Sequence, residues 1–80
     1  MSEKTFILAR RFDQFRDYLI SKDLNRRDFI YLNEARKLMG APRGQKVIRI
    51  ADWYKRPRIE LNGIESMIKA RECLVSDDDY

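Results

Sequence analysis

The side chains best suited to hold a ligand are concentrated in one run of this sequence, Asp52-Trp53-Tyr54-Lys55-Arg56-Pro57-Arg58. Trp53 and Tyr54 offer two adjacent rings, and a base stacked on such a ring gains about 1–3 kcal/mol. Lys55, Arg56 and Arg58 suit phosphate, arginine as a forked donor and lysine as a point charge. Asp52 is the lone acid of the run and suits orienting an arginine or accepting from a base edge. Trp, Tyr and Arg are also the types enriched at the energetic centres of protein interfaces. In a short chain, a tryptophan equally serves to cap a small core.

The rest of the sequence argues against catalysis. There is no histidine, which removes the commonest general base and metal ligand. The single cysteine, Cys73, has no base to activate it and follows Glu72, so a structural role is expected. Asp13 and Asp17 lie four apart on a helix and face solvent. Gly40-Ala41-Pro42-Arg43-Gly44-Gln45-Lys46 lacks the spacing and the Ser/Thr of a phosphate loop and precedes a strand, so it reads as a turn. Asp77-Asp78-Asp79 reads as a solvating tail. The expectation is a non-enzymatic protein with no catalytic residue, no metal and no cofactor.

The elements that must position the run follow from apolar spacing. Thr5–Ala9 is continuously apolar, either a buried strand or the first turn of a helix. Arg10-Arg11 follow, and then Phe12, Phe15, Leu19 and Ile20 mark a helical face that fades near Lys22–Asn25. Asp28–Leu32 is a second strand, Asn33 a good helix N-cap, and Ala35, Leu38 and Met39 a short helical face ending at Gly40. Val47–Ala51 is a third strand. After Pro57, Ile64, Met67, Ile68, Arg71 and Val75 predict a helix from about Asn62 to about Leu74. Residues 59–64 alternate and contain Asn-Gly, a hairpin signal, so hairpin and helix start both remain open there.

Strands alternating with helices give an α/β fold, with a three-stranded parallel sheet in the sequence β-α-β-α-β-α flanked by helices. Strand order 2-1-3 is favoured, with the charged Arg49 suiting an edge position for the third strand. One domain is expected over residues 1–75, with a flexible acidic tail at 76–80. Ligands of open parallel sheets bind outside the carboxyl ends of the strands. That rule gathers Arg10, Arg11, Trp53, Tyr54, Lys55, Arg56 and Arg58 on one rim as candidate nucleic-acid contacts.

Charge supports an anionic partner. Residues 10–58 hold fourteen basic and six acidic residues, a net +8, whereas residues 59–80 carry a net −4; a solvated surface is the plainer explanation of the same numbers. No apolar run approaches the roughly 20 residues that span a bilayer. The opening MSEKTFILAR contains an acidic residue and too short an apolar run for a secretory signal. One unpaired cysteine fits a reducing compartment, so a cytoplasmic location without membrane contact is expected.

The segments FILAR, FDQFRDYLISKDL, RDFIYLN and VIRIADWYKRP, between Thr5 and about Glu72, resemble small α/β proteins encoded by bacteriophages, with Rossmann-like strand–helix alternation. The resemblance implies a fold, a viral origin and work in the host cytoplasm, but no assigned activity. The sequence departs from nucleotide-binding Rossmann families in lacking a glycine-rich loop. Two functions are therefore expected from the same surface: nucleic-acid binding, or binding and modulation of a host protein. A homodimer through an exposed edge strand is compatible with either.

Overall fold

The computed structural model describes residues 4–78. The elements run β1 (Thr5–Leu8), α1 (Phe12–Ser21), β2 (Phe29–Leu32), β3 (Lys46–Ile50), α2 (Arg58–Ala70) and β4 (Leu74–Asp78), with 3-10 turns at Arg26–Asp28, Ala35–Leu38 and Trp53–Lys55. All strands pair in parallel, in the order β2-β1-β3-β4. The α/β class and the parallel sheet agree with expectation. The sheet nevertheless has four strands rather than three, and its order differs from the expected 2-1-3 because β4 adds beside β3.

Burial explains the arrangement. β1 is paired on both sides and covered on both faces, which is why Phe6, Ile7 and Leu8 form an unbroken apolar run. Phe6 and Leu8 join Leu32, Leu38, Val47 and Ile64 beneath α2. Ile7 joins Phe15, Tyr18, Leu19 and Ile50 beneath α1. Each fully buried Leu, Ile or Phe in these two layers contributes about 1.5–3 kcal/mol. Ile20, expected on the buried face of α1, is 70% exposed; it sits about 100° round the helix from Leu19, off the face that Phe15, Tyr18 and Leu19 define.

Residues 59–64 lie inside α2, which begins at Arg58 rather than near Asn62. The Asn-Gly pair does not turn the chain because Leu61, Ile64, Met67 and Ile68 bury one helical face against the sheet. Gly63 brings α2 close to the Ala35–Leu38 turn: a Cβ built on it would lie 3.4 Å from the Ala35 Cβ. The segment after Asn33 is a single 3-10 turn rather than an α-helix. Both α-helices close on a non-glycine residue in the left-handed region, Asp23 (φ 53°) and Glu72 (φ 51°). Leu24 N–H then returns to the Leu19 carbonyl and Cys73 N–H to that of Ile68.

β4 corrects two expectations. β3 is an interior strand, not an edge, and Ser76–Asp78 belong to the sheet rather than to a flexible tail; residues 79–80 lie outside the described residues. The acids of β4 have specific partners. Arg49 faces Asp77 in register and binds it with both arms of its guanidinium, Nε–Oδ1 at 2.5 Å and Nη2–Oδ2 at 2.9 Å. Asp78 accepts from the Tyr18 hydroxyl at 2.8 Å and lies 4.0 Å from Lys22 Nζ. Arg49 thus marks a strand with a charged neighbour, not a strand without one.

Tyr18 is 3% exposed. Burial first, then its bond to the Asp78 carboxylate, push its pKa up from 10.0 to about 12. Between those values the unfolded chain releases a proton that the folded chain keeps, so this stabilisation is fully present below about pH 10 and is lost as pH rises through about 12. The loss is on the order of 2–3 kcal/mol. Urea denaturation between about pH 9 and about pH 12 should show a steeper alkaline decline for the wild type than for Tyr18→Phe. Parallel declines would remove Tyr18 as the cause.

Candidate functional site

The chain leaves β3 through Ala51, whose φ of 49° lies in the left-handed region, at a cost of roughly 1 kcal/mol for a residue with a Cβ. The turn sends Trp53–Lys55 and Arg56 back over the carboxyl ends of the neighbouring strands before α2 opens at Arg58. Arg56 is the centre of what results. Its side chain is only 9% exposed. Nη1 donates to the carbonyls of Ala9 (3.1 Å) and Arg10 (3.0 Å) and to the Tyr31 hydroxyl (2.9 Å). Nη2 donates to the Asn33 carbonyl (2.9 Å) and to Glu60 Oε1 (3.0 Å). One guanidinium therefore fastens the exits of β1 and β2 to the first turn of α2.

This bonding decides how the candidate residues stand. Arg10 and Arg11 leave β1 beside the 53–58 segment, as the parallel-sheet rule expects, because Arg56 binds the backbone between them and β1. Arg56 itself has its terminal nitrogens occupied by protein acceptors and is nine-tenths buried, so it positions the rim and is not available as a phosphate contact. Trp53 is half-buried, packs against the core beneath α2, and has the Arg49 guanidinium 4.4 Å above its ring. That leaves Trp53 less ring face for stacking than expected. Tyr54 is 58% exposed and meets Trp53 edge-on, with centroids 5.9 Å apart. Lys55 and Asp52 form an exposed pair at 3.7 Å, and Arg11 pairs with Asp13 at 3.4 Å. Such exposed pairs contribute about 0–1 kcal/mol and yield readily to a ligand. Arg10 and Arg58 are exposed.

Trp53, Tyr54, Arg56, Arg58 and Glu65 line one cavity of about 290 Å³ at the start of α2. Four of the seven candidate residues thus share a wall, and Arg10 joins them through its own carbonyl. Sequence reasoning missed Tyr31, Asn33 and Glu60, the acceptors that hold Arg56. Only the position of Asn33, just past a strand's carboxyl end, pointed to them. Two buried polar atoms here have no partner among the described residues, Asn33 Oδ1 and Arg56 Nε, and a buried unpaired group costs about 1–3 kcal/mol.

Other chemistry is not assembled. Among the described residues no three His, Cys, Asp or Glu side chains gather to hold a metal ion. No described helix is long and apolar enough to cross a membrane. Cys73 is half-buried against the core; burial raises its pKa, with Arg71 opposing. Burial, rather than the neighbouring acid, is the cause of the rise. No protein-family model, no curated protein and no solved structure matches the chain.

The two arginines on either side of Pro57 should therefore behave oppositely. Arg56→Lys cannot bridge both strand exits and leaves buried carbonyls unpaired, so it should cost roughly 2–4 kcal/mol in urea denaturation. Arg58→Gln should stay within about 0.5 kcal/mol of wild type. Similar losses for the two would overturn the assignment of Arg56 as the internal clamp.

Proposed function

We propose that this chain is a small non-enzymatic binding protein that engages nucleic acid through the basic and aromatic rim at the carboxyl ends of its strands. Arg10, Arg11, Lys55 and Arg58 contact phosphate, and Tyr54 offers the exposed ring. The observation that carries the reading is the Arg56 clamp, which brings the Arg10-Arg11 exit of β1 against the Trp53–Arg58 segment. Cations from two distant parts of the chain then share one surface, and Lys55 and Arg11 are held only by weak exposed pairs. The resemblance to phage-encoded proteins suggests that this work is done in a host cytoplasm.

A protein partner is the second reading. Ile59, next to Arg58 in the first turn of α2, is 87% exposed, and Tyr54 is 58% exposed. An apolar side chain and a ring among arginines suit an interface that modulates a host protein as well as they suit a nucleic acid.

Fluorescence anisotropy with labelled single- and double-stranded oligonucleotides distinguishes the two. Binding should weaken steeply with salt. The triple variant Arg10→Gln, Arg11→Gln, Arg58→Gln should lower the salt slope for single strands by about 2, near 0.7 for each phosphate that is no longer neutralised. No binding at micromolar protein and low salt would remove the nucleic-acid reading and leave the protein partner.

A further inference from the structure

The two edges of the sheet differ. In β2 no residue is exposed. Phe12 meets the Tyr31 ring edge-on at 5.6 Å, and Lys37 Nζ donates to the Tyr31 carbonyl at 2.9 Å. A lysine set on an edge strand is one of the devices that keep other strands away. In β4, by contrast, Leu74, Val75, Ser76 and Asp77 are all exposed. Leu74 is 61% and Val75 37% exposed, and alternation along the strand puts them on opposite faces of the sheet. Among the described residues, only Gln45 and β3 bond the β4 backbone.

One of those bonds shows which backbone groups are left over. Leu74 N–H donates to the Gln45 carbonyl, on the β3 side, at 2.9 Å. Successive residues of a strand direct their N–H and C=O to opposite sides. Ser76 and Asp78 therefore also face β3, whereas Val75 and Asp77 direct both groups outward. An antiparallel neighbour must set outward residues opposite outward residues. For a second β4 this allows two-fold registers about Val75, Ser76 or Asp77. Pairing about Asp77 opposes that carboxylate to itself, and pairing about Val75 opposes Asp78 to Glu72; like charges directly opposite are destabilising. Pairing about Ser76 matches the whole of β4 and sets no acid against an acid. Each Val75 then exchanges both its bonds with the partner's Asp77.

Charge favours the same register. Lys46, opposite Leu74 on β3, and Arg43, beside Glu72, flank the amino end of the edge. Antiparallel pairing brings the partner's acidic carboxyl end to them. The acids themselves are already moderated within the chain, Asp77 by both arms of Arg49 and Asp78 by Tyr18 and Lys22. We infer that the β4 edge takes a second copy of this chain, joined antiparallel about Ser76, so that two four-stranded sheets become one. The contact uses the same patch on both copies and closes on itself. It covers Leu74, which lines a groove with Phe29 and Ile48, and Val75, which lines another with Ile68. The two rims face opposite ways in this dimer, and the dimer stands whatever the rim binds.

Sedimentation equilibrium of the full chain, from about 1 μM to about 1 mM, should show the average mass rising from one chain toward two. Val75→Pro removes an outward N–H from each copy and spares the ladder to β3, since proline is tolerated on an edge strand. It should weaken the dimer at least about 10-fold while circular dichroism shows the fold retained. Cysteine pairing reads the register. At Ser76 the two copies face each other at a non-hydrogen-bonded position, with Cα atoms about 4.5 Å apart and within disulfide reach. The two copies of Leu74 are offset along the strands by about 14 Å and are not. With oxidised glutathione, Ser76→Cys should therefore couple to its own copy and Leu74→Cys should not, with peptide mass mapping separating the new bridge from Cys73. A monomer throughout, a dimer indifferent to Val75→Pro, or coupling as fast at Leu74→Cys as at Ser76→Cys would overturn the pairing. If Val75→Pro unfolds, the Ser76→Cys coupling decides.

Discussion

A guanidinium set among backbone carbonyls at the ends of parallel strands is the constraint on which the rest of this structure depends. Strands that all run one way present their last carbonyls at the same end, where pairing to a neighbour stops, and those groups need donors. Arg56 supplies them for Ala9, Arg10 and Asn33, and its remaining contacts go to the Tyr31 hydroxyl and the Glu60 carboxylate. Glu60 is the one carboxylate bonded to this buried cation among the described residues, so carbonyl and hydroxyl dipoles provide most of its solvation. Arginine suits the place because its planar fork has five fixed donors, whereas lysine is a point charge on a flexible stem. The same bonds set the spacing of the candidate surface: where Arg10 leaves β1, where Asn33 leaves β2 and where α2 begins are all referred to one group.

The sequence legibly encodes whatever depends on local spacing. Phe6-Ile7-Leu8 reads as a doubly covered strand because all three residues are buried, and Phe15 and Leu19 read as a helix because they recur on one turn. β4 does not read in this way. Leu74 and Val75 continue the helical spacing of α2, and Ser76-Asp77-Asp78 has the composition of a solvated end. What makes these residues a strand is Arg49, almost thirty positions earlier, whose guanidinium meets Asp77 across the register, together with Tyr18 reaching Asp78 from α1. Neither partner is near in sequence, so no window along the chain contains the signal. The helix closure at Glu72 in the left-handed region is equally hidden, since no glycine marks it.

The candidate site divides along the same line. The gathering of Arg10, Arg11 and the 53–58 segment follows from a general rule about where parallel strands end, and the sequence supports it. How each side chain is used does not follow. Arg56 and Arg58 look alike on either side of a proline, yet one is nine-tenths buried and the other exposed. The difference lies in carbonyls contributed by two other strands. Trp53 likewise looks like a free stacking ring until Arg49, itself held by Asp77, is found over it. Asn33 reads as a helix cap, but no α-helix follows it, and its side-chain oxygen is left buried without a partner among the described residues.

Because every strand is parallel, the acids of β4 lie at the same end of the sheet as the cations of the rim, separated by strand order. Asp77 and Asp78 stand at the β4 side, already engaged by Arg49, Tyr18 and Lys22. Arg10 and Arg11, which follow β1, and Lys37, which follows β2, stand at the other side. The rim is thus electrically graded, with carboxylates on the β4 side and cations on the β1 and β2 side, and this grading is felt only at separations shorter than the screening length of about 8 Å.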